Sequence, residues 1–405
     1  MAITDVSEQT RTRLIGTLFA GNAITSTGYI GVITVSTLIS EQITGSTGLS
    51  GIPGTFGTVG VAVGAASLSA LSLRIGRRPS FAAGYALATL GSVLAGLSIV
   101  FDSFTLLLIG MLAIGFGRSV GQLARYAAGD LRHSDHRARA ISLIVWASTI
   151  GAIVGPLLIG PTSSAASAGG LDELLGPIAI GIVGFGLGSL LMFVGLHPDP
   201  LTVAFVERNE EADAKPAPIA KLLRIPTVQL SLAALMTSQF VMALIMVMTP
   251  LYIRSHDGDL ATVGWVMMAH TVGMFAIAPV TGWLVDRYGP STIIITAVAL
   301  LSASGLIAAM ADDAQTPILI IGLFVLGVGW NFGFVAGSTL LQEGLTIVDR
   351  LKIQGFADST TWISGAVGAG ASGVIVAVSS YVVLSLLGAG LALVPLILWF
   401  KTRTS

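Results

Sequence analysis

The chain has 405 residues, of which 53% are hydrophobic and only 10% charged, and its net charge is −1. A soluble globular chain carries about 25% charged residues, so this composition excludes an ordinary water-soluble globule; the near-neutral balance excludes a binder of nucleic-acid phosphates. The chain has no cysteine, which excludes disulfides, thiolate metal sites and thiol redox switching.

In chain order, the polar start MAITDVSEQTRTR leads into an apolar run with no small-residue cleavage site, so the first run reads as a span and not a removable signal. Runs long enough to cross a membrane, roughly 20 residues each, then recur. They fall at 14–39, 49–73, 81–101, 106–129, 140–160, 174–196, 228–253, 261–284, 292–310, 317–341, 355–378 and 381–400. Twelve such runs predict an all-α membrane protein. Between the sixth and seventh lies the longest polar stretch, with a charge run and several prolines, read as a cytoplasmic linker without chemistry over 197–227. It separates a six-helix bundle over 1–196 from a second over 228–405.

Lys and Arg set the expected orientation. Arg11, Arg13, Arg74, Arg77, Arg78, Arg132, Arg137, Arg139, Arg208, Lys215, Lys221, Arg224, Arg287, Arg350, Lys352, Lys401 and Arg403 fall on one side of the twelve spans, and Arg254 on the other. The positive-inside rule then predicts that both termini are cytoplasmic. The 50 glycines concentrate within the spans, where small residues let helix backbones approach closely in lipid.

Two short loops occupy equivalent places in the two halves. One is Ser69-Ala-Leu-Ser-Leu-Arg74-Ile-Gly76-Arg77-Arg78, after the second span; the other is Gly282-Trp-Leu-Val-Asp286-Arg287-Tyr-Gly289, after the eighth. They resemble the loop pattern of the major facilitator superfamily, which runs Gly, three residues, Asp-Arg, one residue, Gly-Arg-Arg. The resemblance implies a transporter, not an enzyme, built from two six-helix halves. The second copy keeps the Gly-Asp-Arg-Gly core, whereas the first has Leu73 in place of Asp and Ser69 in place of Gly. Only Asp286 can therefore offer a carboxylate to a neighbouring helix N-terminus, and Arg74, Arg77 and Arg78 read as orientation anchors or lipid-headgroup contacts. Residues 151–160, with Gly155-Pro156, resemble the Gly-Pro motif of the family's antiporters.

The fourth span carries Arg118 and Arg125, seven residues apart on one helical face, with Asp130 below. The family's usual arginine position in this helix is Met111. An arginine at membrane depth is costly enough to point to function, so Arg118 reads either as a cavity residue or as an ion-pair partner, and Arg125 as structural.

Seven of the 11 methionines, Met236, Met242, Met246, Met248, Met267, Met268 and Met274, fall in spans seven and eight. Met242 and Met246 form an i,i+4 pair on one face of span seven, and His270 and Met274 do the same on span eight. At about 1.5 Å per residue, Met246 and His270 lie roughly 10 and 13 Å below the outer helix ends, and Met242 and Met274 roughly 16 and 20 Å below. That is the depth at which transporters place substrates. Neutral thioethers with one imidazole suit Cu(I) better than hard cations.

This MxxxM and HxxxM pairing resembles the CcoA-type copper importers of the same superfamily. The resemblance implies that Met242, Met246, His270 and Met274 ligate copper as transported cargo, with no resident cofactor. It also implies a plasma (inner) membrane location, delivery to a cytoplasmic copper acceptor and supply of a cytochrome oxidase, by alternating access. Further candidates are His133 and His136 on an inner loop, His256 and Asp257 on an outer one, and Trp330, Asn331, Gln354 and Asp358 as cavity or proton-coupling residues. The competing expectations are a proton-coupled exporter of hydrophobic drugs or other small molecules, and a membrane copper sensor without transport.

Overall fold

The computed structural model describes residues 7–46, 49, 51–208, 216–256, 260–311 and 315–404. Twelve stretches among them are helical, long and apolar enough to cross a membrane. The first six are α1 (Glu8–Thr44), α2 (Ile52–Ile75), α3 (Arg77–Val100), α4 (Phe104–Asp130), α5 (Arg137–Ala168) and α6 (Leu175–Gly195). Two short helices follow, α7 (Pro200–Arg208) and α8 (Ile219–Leu222). The seventh span is α9 (Pro226–Ser255), and the eighth is divided into α10 (Leu260–Phe275) and α11 (Ala278–Tyr288). The ninth to eleventh are α12 (Pro290–Ala309), α13 (Thr316–Leu340) and α14 (Ile347–Val378), and the twelfth is divided into α15 (Tyr381–Leu391) and α16 (Val394–Thr404).

Local chemistry explains the boundaries. Ser7, Ser103 and Ser380 accept hydrogen bonds from the backbone N–H of Thr10, Leu106 and Val383, capping α1, α4 and α15. The two divided spans break for a shared reason. Pro279 and Pro395 stand at the second residue of α11 and α16, where the missing N–H cannot continue the ladder of the preceding helix.

The helices gather into two compact units. The first comprises residues 1–133, 147–216 and 346–359; the second comprises 134–146, 217–345 and 360–405. In the first, α1 packs on α6, and α2 and α3 pack on α4. In the second, α9, α10 and α12 pack on α13, and α15 packs on α12. The segment expected to be a linker contains a helix, because Leu201, Val203, Ala204 and Phe205 give α7 an apolar face that is buried.

Candidate functional site

The sulfur-rich hairpin of the second unit is built on α9 and α10. α10 and α13 approach closely because glycine faces backbone in both directions: a Cβ on Gly273 would lie 2.5 Å from the Phe324 carbonyl, and one on Gly327 would strike the His270 carbonyl. This seats the His270 ring against α13, buried, with Nδ1 3.0 Å from the Leu323 carbonyl oxygen. A carbonyl only accepts, so Nδ1 carries the proton and donates it, and the Nε2 lone pair is left bare. Nε2 is buried and has no hydrogen-bond partner. Met242 is buried on α9. Met246 packs against an apolar cluster that includes Val266, one turn before His270, and Leu323, which holds its ring. Met274 lies one turn beyond His270 and is half-buried. Among the described residues no three His, Asp or Glu side chains gather as metal ligands.

Asn331 has a bracing role at the break in span eight. It is fully buried, its Nδ2 donates to the Met274 carbonyl at 2.6 Å, and its Oδ1 accepts from Thr281 Oγ1 at 2.6 Å, so it ties α10 and α11 to α13. Its neighbour Trp330 donates to Gln239 Oε1 at 2.8 Å, stacks on Phe334 at 4.6 Å and meets the edge of Phe275 at 5.8 Å. His133 and His136 flank an exposed turn. His256 Nδ1 lies 2.9 Å from the Tyr252 carbonyl at the end of α9, and Asp257 lies outside the described residues.

The two loop motifs turn through Gly76 and Gly289, at φ 89° and 81°, a conformation that glycine adopts without strain. In the second unit Asp286 accepts from the N–H groups of Ala138 at 2.9 Å and Arg139 at 3.2 Å, the orphan donors of the first turn of α5, and its carboxylate lies 3.4 Å from Arg139 Nε. Gly282 lies so close to α5 that a Cβ would meet Ser142 Oγ and approach the Ala138 carbonyl to 2.8 Å. Arg287 stays exposed, 5.4 Å over the Trp283 ring.

In the first unit Leu73 packs on Leu201, Ala204, Phe205, Ile347 and Leu351, an apolar cluster made by α7 and the start of α14. The Ser69 hydroxyl donates to the Leu351 carbonyl, and Gly355 provides the space beside it. A carboxylate does reach this loop, from a residue the motif does not include. Asp199 accepts from Arg78 N at 2.8 Å and Arg77 N at 3.3 Å, capping α3. Its only sequence signal is an aspartate just after the sixth span.

The arginines of this loop differ in role from the expected anchors. Only Arg74 is exposed. Arg77 is buried and pairs with Asp130 at 2.7 Å, which also pairs with Arg350 at 3.2 Å, and Gln354 Oε1 lies 3.3 Å from Arg77. Arg78 donates to the Phe193 carbonyl at 2.6 Å. Asp130 thus serves Arg77 and Arg350, while Arg125 pairs with Asp358 at 2.5 Å, both buried, with Tyr126 donating to Asp358 at 3.3 Å. Arg118 is half-buried and stands 5.0 Å over the Tyr29 ring.

Twelve apolar helices in two units, paired loop motifs and ionisable groups held at membrane depth define a polytopic helical membrane transporter. The model of the Major Facilitator Superfamily matches residues 18–261 and 230–405. The MFS-type transporter YddS of Bacillus subtilis is 35% identical over 378 residues, 92% of this chain and 87% of that one. The riboflavin transporter RfnT of Brucella anthropi is 27% identical over 330 residues, 81% of this chain and 80% of that one. The fold is similar to that of the proton:xylose symporter XylE, with a TM-score of 0.78 at 14% identity, covering 98% of this chain and 96% of that one. The chain belongs to the Major Facilitator Superfamily, and it is a transporter, not an enzyme.

Proposed function

We propose that the protein imports copper across a plasma (inner) membrane, with both termini cytoplasmic, for a cytoplasmic acceptor that supplies a cytochrome oxidase. The observation that carries this reading is the His270 ring. Its Nδ1–H is spent on a backbone carbonyl, and its Nε2 is buried without a partner. Metal-ligating histidines are oriented in this way, with the second nitrogen donating to a carbonyl or carboxylate. Met242, Met246 and Met274 supply soft neutral sulfur from the same two spans, a donor set that suits Cu(I) and permits release. A site of this kind works by alternating its exposure between the two membrane faces.

The test is radiocopper uptake into cells expressing the wild type, Met246→Ala with His270→Ala, or Asn331→Ala at matched protein level. Uptake lost in the double variant supports the reading; equal uptake in wild type and double variant, or none in either, sinks it.

A second reading, transport of a small organic solute, is supported by the riboflavin named for the relative RfnT and by the ring cluster of Trp330, Phe334 and Phe275. It predicts uptake of a planar heterocycle that tolerates His270→Ala and fails with Trp330→Ala.

A further inference from the structure

Arg118 lies near the middle of α4, 14 residues after Phe104 and 12 before Asp130, about 20 Å from either end of the helix. A cation at that depth is retained only with a partner or a purpose. Among the described residues no carboxylate forms an ion pair with it, and the two acids buried in the same unit are committed elsewhere, Asp130 to Arg77 and Arg350, and Asp358 to Arg125. The contact Arg118 does make is through the flat face of its guanidinium, over Tyr29 at 5.0 Å. Stacking of this kind leaves the N–H edges unspent.

The surroundings are polar. Above Gly121, where a Cβ would lie 3.1 Å from Arg118 Nη1, the same space borders Asn22 Oδ1. Asn22 donates to Ser148 Oγ at 3.3 Å, and one turn further along α1 the Ser26 hydroxyl is buried without a hydrogen-bond partner. Thr149 Oγ1 on α5 is likewise buried and unpartnered. A half-exposed guanidinium with free edges, stacked on a tyrosine and sharing the space above Gly121 with Asn22, presents the planar donor fork that recognises carboxylate and phosphate oxygens in pairs.

We propose that Arg118, with Tyr29, Asn22 and Ser26, forms a binding site for a small oxyanion, a carboxylate or phosphate group, in the middle of the first unit. This goes beyond the copper reading and uses none of its residues. The site takes either a free anion bound alongside the cargo or the acidic group of the cargo itself.

The purified full-length chain in lipid nanodiscs is titrated with sodium phosphate and sodium acetate against sodium chloride at constant ionic strength, and the unfolding midpoint is followed. The wild type is expected to gain stability with one of the oxyanions. Arg118→Gln is expected to bind about ten-fold or more weakly, a loss of about 1.4 kcal/mol or more, and Arg118→Lys to retain part of the response. Without anion, Arg118→Gln should unfold no lower than the wild type, because it removes an unpaired cation; a structural arginine would behave oppositely. Uptake of radiolabelled phosphate or acetate into proteoliposomes that fails in Arg118→Gln marks the anion as cargo, whereas stabilisation without uptake marks it as a resident co-ligand. Equal responses in wild type and Arg118→Gln, or none in the wild type, overturn the proposal. The probes contain no copper, so this result and the copper test fail independently.

Discussion

At the end of α2 the chain turns through Gly76 and at the end of α11 through Gly289, both at positive φ, and each loop then meets the start of a long helix. In the second unit that meeting is polar, with Asp286 on the N–H groups of Ala138 and Arg139. In the first it is apolar, with Leu73 against Ile347 and Leu351. The close-approach pair is also exchanged: Gly282 lies against Ser142, whereas Ser69 lies against Gly355. This register matches Ala138 to Leu351. α5 begins at Arg137, so Ala138 has an orphan N–H to offer; α14 begins at Ile347, a full turn before Leu351, whose N–H lies within the helix. A carboxylate at Leu73 would find no donor there. The missing aspartate is thus the consequence of an earlier helix start, and the cluster with α7 takes its place.

The largest effect is expected in the buried ion network beside the first unit's loop. Asp130→Ala strands the buried Arg77 and Arg350 and is expected to cost about 3–5 kcal/mol, read as a lowered unfolding midpoint. The residue in register with Asp130 is Glu343, which is half-buried where Asp130 is fully buried, so Glu343→Ala should cost less. Next comes exchange of the loop chemistry itself. Leu73→Asp buries a carboxylate among Leu201, Phe205 and Leu351 and should cost about 2–3 kcal/mol. Asp286→Leu leaves two helix N–H groups without acceptors and should cost about 1–3 kcal/mol. Equal tolerance of both exchanges would contradict the helix-start explanation.

A sharper comparison uses the exchanged small residues. Gly282→Ser drives a side chain into Ser142 and should cost about 1–3 kcal/mol; Ser142→Gly in the same chain should recover most of it, a coupling visible in a double-mutant cycle. The smallest effect is expected from Ser69→Ala, which removes one hydroxyl bond to the Leu351 carbonyl and should cost about 1 kcal/mol.

The spans were legible in the sequence because lipid imposes a minimum apolar length, and all twelve predicted runs overlap observed helices. The breaks before Pro279 and Pro395 are not decided by the sequence, because a proline within a span is compatible with either a kink or a new helix. The role of Asp199 was illegible for a different reason. It caps a helix more than a hundred residues earlier, and no periodicity connects the two. Helical spacing places Asp130 below Arg118 and Arg125 but names no partner for any of them; the structure pairs Asp130 and Arg125 with residues from distant segments. At the candidate metal site, spacing alone aligned Met242 with Met246 and His270 with Met274. The carbonyl of Leu323, which decides the tautomer of His270, comes from another helix and has no sequence signature.

Soft coordination through His270 underlies the copper reading. The most direct measurement is X-ray absorption of the purified chain loaded with Cu(I), beside His270→Ala and Met246→Ala. The expected result is one nitrogen scatterer with sulfur neighbours in the wild type, loss of the nitrogen in His270→Ala, and a reduced sulfur contribution in Met246→Ala. Copper that binds with oxygen and nitrogen alone, or with a spectrum unchanged in both variants, would contradict it.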